Sequence, residues 1–149
     1  MKVVVELAGE ELWLLAEKAI YWPRRHTLLI ADAHFGKAAA YRKLGQPVPT
    51  GTTQTNIDVL NRLMRRYPCT EVIFLGDFLH ALNTLAAIGT WREAHADVSM
   101  RLIRGNHDRR AGDPPEALKI EVVAEPWLVG PFALQHEPQP HATHHVLAG

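Results

Sequence analysis

Four short stretches of this chain carry oxygen and imidazole donors: Asp32-Ala33-His34, Gly76-Asp77, Gly105-Asn106-His107-Asp108, and His136 behind Phe132-Ala133-Leu134-Gln135. Each follows a run of apolar, β-forming residues, at 27–31, 71–75, 100–104 and 132–135. In open α/β sheets the ligand crevice lies beyond the carboxyl ends of the strands, so donor sets at several such ends can converge on one site. Residues i and i+2 of an extended segment project to the same side, which lets Asp32 and His34 grip one cation. A carboxylate such as Asp77, set between two cations, can give an oxygen to each, while the Asn106 amide oxygen and the His136 imidazole suit the second. Donors of this kind without thiolate favour Mn, Fe or Zn over softer ions. Two divalent cations roughly 3.5–4 Å apart supply a hydroxide and clamp the attacking and leaving oxygens of a phosphoester, which is the chemistry such a pair most often serves.

The elements that must position these donors are legible as an alternation of strand and helix patterns broken by Gly and Pro, the signature of an α/β domain. Strands are expected at 3–7, 12–16, 19–22 and 27–31, the early ones close enough to form antiparallel hairpins, and again at 72–75, 100–103, 120–123, 128–129, 132–134 and 145–147. An Ala-rich helix is expected at 36–44, stopping at Gly45, with a loop at 46–51. From 53 to 66 the apolar positions Ile57, Leu60, Leu63 and Met64 share one helical face, and Asp58, Arg62, Arg65 and Arg66 stay largely outside it. Leu85, Ile88 and Trp91 repeat the stripe in a third helix. The chain, 149 residues with 16 Lys+Arg balancing 16 Asp+Glu, is long enough for one real core and short for two, so residues 1–149 are read as one domain. Its neutrality removes the general electrostatic argument for a dedicated nucleic-acid binder. The single Cys69 excludes an intrachain disulfide and thiolate-pair zinc sites, and fits a reducing compartment. No apolar stretch of signal-peptide length precedes Glu6, and no run reaches the length of a membrane span, so a cytoplasmic protein with no membrane partner is expected.

Taken in order and in their strand contexts, Asp32-x-His34, Gly76-Asp77, Gly105-Asn106-His107-Asp108 and the later His136 resemble the calcineurin-like metallophosphoesterases. Further stretches resemble one bacterial branch, the ligase-associated DNA damage response endonucleases. These are Ala31-Asp32-Ala33-His34-Phe35-Gly36-Lys37-Ala38-Ala39-Ala40-Tyr41-Arg42, Pro47-Val48-Pro49-x-Gly51-Thr52-Thr53, Gly76-Asp77-Phe78-Leu79-His80-Ala81 and Arg104-Gly105-Asn106-His107-Asp108-Arg109. The resemblance runs over nearly the whole chain. It implies two packed mixed sheets flanked by helices, a four-layer sandwich with its C-terminal part missing, and two divalent metals, Mn first with Fe and Zn as alternatives. It also implies that Asp32, His34 and Asp77 serve one metal and Asp77, Asn106 and His136 the other, while His107 meets the phosphate or leaving group and Asp108 orients it. The implied substrate is a phosphoester, with DNA as the candidate, and the implied setting is association with a DNA ligase and helicase system. The family closes its site with Gly-His-x-His. Val146-Leu147-Ala148-Gly149 reads like the strand leading into that motif, so a shortened chain is expected, with weakened metal sites and a strand edge near 145–147 open to self-association.

Three readings follow: a metal-dependent phosphodiesterase or endonuclease of DNA repair, a phosphoesterase of the same fold acting on a small metabolite or nucleotide, and a non-catalytic fragment. Around the motifs, His80 serves as readily as a pocket residue or as an ordinary partly buried or exposed histidine. Lys37 and the amides after Gly36 suit a phosphate at a helix N-terminus, against the simpler reading of a solvated lysine. Arg101, Arg104, Arg109 and Arg110 form a basic cluster beside Asp108 in sequence, attractive for a polyanion only because of that location. His95, His141, His144 and His145 read as surface or loop residues, and His26 carries no case either way.

Overall fold

The computed structural model describes residues 2–31, 52–76, 78, 85–104 and 113–149, with the side chains of 52–55 left aside. The expected helix at 36–44 and loop at 46–51 lie outside these residues. Strand β5, Glu71–Leu75, explains the layering. Val72 and Phe74 enter one core cluster and Ile73 and Leu75 another, so successive side chains of a fully apolar run are buried on opposite faces. Such a strand must be central and covered on both sides.

Its neighbours repeat the pattern. β4, Thr27–Ile30, sends Leu28 and Ile30 to the first cluster and Leu29 to the second. β6, Ser99–Ile103, sends Met100 and Leu102 to the first and Ile103 to the second. With β7, Ile120–Val123, these strands run parallel. On the other side of β4 the sheet continues antiparallel through β3, Ala19–Trp22, β2, Glu10–Leu15, and β1, Lys2–Leu7, giving seven strands in sequence order. A second mixed sheet contains β8, Trp127–Val129, β9, Phe132–Gln135, and β10, His145–Ala148, with β9 central, β8 antiparallel and β10 parallel to it. β8 and β10 are thus the outer strands of this sheet among the described residues.

The first cluster is closed by helices α1, Thr52–Arg66, and α2, Leu85–Ala94, through Ile57, Leu60 and Leu63 of one and Ile88 and Trp91 of the other. The second is closed by Phe132, Leu134 and Leu147 of the three-stranded sheet. The described residues therefore form a helix, sheet and sheet stack, the mixed α/β sandwich expected from sequence. Three of the four expected layers lie among them.

Small differences have local causes. β2 begins at Glu10 and not at 12 because Ala8 and Gly9, both at positive φ, make a two-residue hairpin turn that pairs Leu7 with Glu10. Two consecutive glutamates then occupy strand positions that hydrophobicity alone would leave in the loop. Short 3₁₀ turns at Pro23–Arg25 and Glu116–Leu118 are too brief to carry a helical period in the sequence.

Candidate functional site

The register of the parallel strands brings their exits to one edge. Ile30 lies beside Phe74 and Phe74 beside Leu102, while Leu75 lies beside Ile103 and Ile103 beside Val123. In sequence, Asp32 comes two residues after Ile30, Asp77 two after Leu75, and Asn106 three after Ile103. The side chains of Asp32, His34, Asp77, Asn106, His107 and Asp108, like those of Lys37, His80, Arg109 and Arg110, lie outside the described residues. Of the expected metal-ligating residues, His136 lies within them.

His136 is the first residue beyond β9, and it reaches across from the small sheet to the large one. Its Nδ1 is 3.1 Å from the carbonyl oxygen of Leu75, the last residue of β5. A carbonyl only accepts, so this contact calls for the proton on Nδ1, the tautomer that in the neutral ring leaves the lone pair on Nε2. Its backbone N–H donates to Oε2 of Glu125 at 2.7 Å, and the N–H of Glu137 to the same oxygen at 3.3 Å. Gln135, itself buried, donates from Nε2 to the carbonyls of Glu137 and Gln139 at 2.8 and 2.7 Å and folds the following turn back on itself.

Two glycines permit this approach. Gly76 has φ +78°, and a Cβ there would meet Cγ and Nδ1 of His136 at 2.5 Å and its Cβ at 2.8 Å. The residue before Asp77 must therefore be glycine both for its backbone conformation and because the imidazole occupies the side-chain space. Gly149, just past β10, lies equally close to β5: a Cβ on it would overlap the carbonyl oxygen and Cβ of Leu75. Its N–H donates to the Gln135 carbonyl at 3.1 Å, which extends the β9–β10 pairing by one step. The exits of β5, β9 and β10 thus meet around Leu75.

This arrangement fits a cation. An imidazole whose Nδ1–H is tied to a backbone carbonyl presents Nε2 as a ligand, the usual outer contact of a metal-binding histidine. Among the described residues no group of three or more His, Cys, Asp or Glu side chains is gathered to hold a metal.

The basic cluster divides. Arg101 points to the opposite half of the sheet, donating to Glu71 at 2.6 Å and Glu121 at 2.8 Å with its guanidinium 4.8 Å over the Trp127 ring. Glu71 opens β5, so this cation sits toward the amino ends of the strands, away from the exits, and its charge is already paired. Arg104 makes a two-oxygen contact with Asp113 at 2.7 and 2.9 Å, linking the two sides of residues 105–112. His95 is more engaged than a surface reading suggests: its Nε2 is 2.9 Å from Oδ1 of Asn61 and joins α2 to α1. His141 and His144 stay on the loop before β10, their rings 5.1 Å apart. Sequence reasoning missed Glu125. No local pattern marks a glutamate eleven residues upstream of the histidine whose backbone it holds.

Fold and site together define a two-sheet α/β sandwich that gathers strand exits at one edge around an imidazole. Comparison with protein-family models gives no match, and comparison with curated proteins gives none. Among solved structures, the crystal structure of the nuclease MPE of Pseudomonas putida is similar to this chain at 52% identity, with a TM-score of 0.89, over 99% of this chain and 72% of that one. The chain belongs to the same family as that nuclease.

Proposed function

We propose that this chain is a metal-dependent phosphodiesterase that cuts nucleic acid, of the calcineurin-like class and of its ligase-associated DNA-repair branch, called PdeM. The observation that carries the reading is His136, locked against Leu75 and Gly76 at the edge where β4, β5 and β6 exit toward the donor motifs. The family relation to a nuclease supports the choice of nucleic acid over other phosphoesters. In this reading Asp32, His34 and Asp77 hold one divalent cation and Asp77, Asn106 and His136 the other, with Mn the first candidate. Bound cations would supply a nucleophile at neutral pH and neutralise charge on the phosphate. The protein's own share is to aim Nε2 of His136 by the Nδ1 contact, to give the leaving oxygen a proton from His107, and to orient that imidazole through Asp108.

A comparison of labelled single- and double-stranded DNA with a nucleotide monoester and a small diester tests the reading, each with added Mn and with chelator. DNA cleavage that needs the metal, that His136→Ala abolishes with loss of bound metal, and that His107→Ala lowers strongly with metal content unchanged is the expected result. Asp77→Ala should remove the most metal, as a shared ligand must. The balanced net charge favours one second reading, a small phosphorylated substrate. Faster turnover of the monoester or small diester than of DNA would select it.

A further inference from the structure

We propose that Glu125 is a positioning residue for His136, fixing where its backbone sits and hence where Nε2 points. The inference rests on the reading of His136 as a metal ligand. Glu125 lies in the link between β7 and β8, two residues past Val123 and beside Pro126, to which it is joined by a cis peptide bond. Its Oε2 takes the N–H groups of both His136 and Glu137. Those N–H groups lie where β9 ends, beyond its pairing with β8, which begins at Trp127 opposite Leu134. A backbone donor leaving a ladder needs a new acceptor, and an ionised carboxylate is a strong one. Half-buried Glu125 therefore ends the strand at a set residue and fastens the turn of the small sheet to the exit of β7 in the large one.

The consequence for the imidazole is geometric. Glu125 acts on the His136 main chain, the Leu75 carbonyl on Nδ1, and the bare backbone of Gly76 lies against the ring. The Leu75 contact fixes the tautomer and ring rotation only while Glu125 holds the Cα in place. With Glu125 removed, the turn after Gln135 can shift, and the Nδ1 contact at 3.1 Å no longer acts on a fixed main chain. A ligand presented with a mixed tautomer and a scattered direction binds metal more weakly, and outer contacts of this kind typically govern about 10–100-fold in affinity.

The test uses the whole chain with Glu125→Ala, Glu125→Gln, Glu125→Asp and His136→Ala. Mn binding is followed by calorimetry, and the His136 ring by ¹⁵N chemical shifts in the metal-free protein. Glu125→Ala should weaken Mn binding by about 10–100-fold and replace the Nδ1–H signature by an averaged one. Glu125→Gln keeps an accepting oxygen without the charge and should lose less than about tenfold, with the tautomer retained. Glu125→Asp, one methylene shorter, should fall between them, and it decides the matter if the alanine variant does not fold. Wild-type Mn affinity together with an intact Nδ1–H signature in Glu125→Ala, or in Glu125→Asp where that variant decides, would overturn the proposal. Unchanged Mn binding in His136→Ala would instead remove the underlying reading of a metal ligand. The ring ¹⁵N shifts would still report on positioning.

Discussion

Replacing Gly76 by alanine sets two costs against a residue that the site is built around. The first is conformational: at φ +78° an L side chain sits in the left-handed region, at about 1–2 kcal/mol. The second is steric. The new methyl would start 2.5 Å from Cγ and Nδ1 of His136, closer than real carbon contacts come, so the ring or the β9 exit must move, for roughly 1–3 kcal/mol. Together they give about 2–5 kcal/mol, a large share of the roughly 5–15 kcal/mol that holds a domain folded. Gly9 supplies the control, since it has φ +80° and no atom within 4 Å of an added Cβ. Gly9→Ala should therefore show the conformational cost alone. Urea denaturation of both variants, read as a midpoint change at constant m, measures the difference. A cycle through His136→Ala isolates its source: without the imidazole, Gly76→Ala should cost no more than Gly9→Ala. Equal destabilisation by the two alanines in the wild-type background would refute the close seat of His136 on Gly76. So would an unchanged Gly76→Ala penalty after the ring is removed.

Further outcomes follow from three other parts of the molecule. Burial, and then the nearby Asp97 carboxylate, push the Cys69 thiol up to about 11 from 9.0. At pH 9 iodoacetamide should therefore label it about 50-fold more slowly than a model thiol, with full reactivity in denaturant. Because this pKa is raised in the folded state, the associated stability is fully present below pH 9 and is lost as pH rises toward 11, which denaturation midpoints across that range would show. Arg101→Ala should cost roughly 1–3 kcal/mol by stripping Glu71 and Glu121 of their partner and, under the proposed metal-dependent function, leave Mn affinity unchanged, because it works at the amino ends of the strands. A marked drop in metal binding would contradict its placement. Arg92 is buried and donates to the carbonyls of Leu118 and His95 at 2.8 and 2.7 Å, so Arg92→Ala should lower stability by about 2–4 kcal/mol in the same denaturation assay.

The sequence by itself determined the order of the described elements and put His136 at the end of a strand. β3 and β7 occupy the residues expected for them, and β5, β6, β8, β9 and β10 differ by a residue at an end. This is possible because burial on both faces leaves continuous apolar runs in β4, β5 and β9, and because the Ile57, Leu60 and Leu63 spacing admits only a helix. Periodicity is a local property, readable without knowing the neighbour. Tertiary structure alone decided which ends meet and what holds them. Nothing near Gly76 in sequence signals that an imidazole sixty residues away fills the space its side chain would take, and nothing near His136 points to Glu125. Arg101 shows the same limit from the other side: adjacency to a motif suggested a role at the site, but the two-residue period of a strand and its position before the exit sent the side chain to Glu71 and Glu121 instead. Sequence encodes what each residue can do within its own element. Distances across two packed sheets arise only when strands from distant segments take their register, and that register set His136 over Leu75.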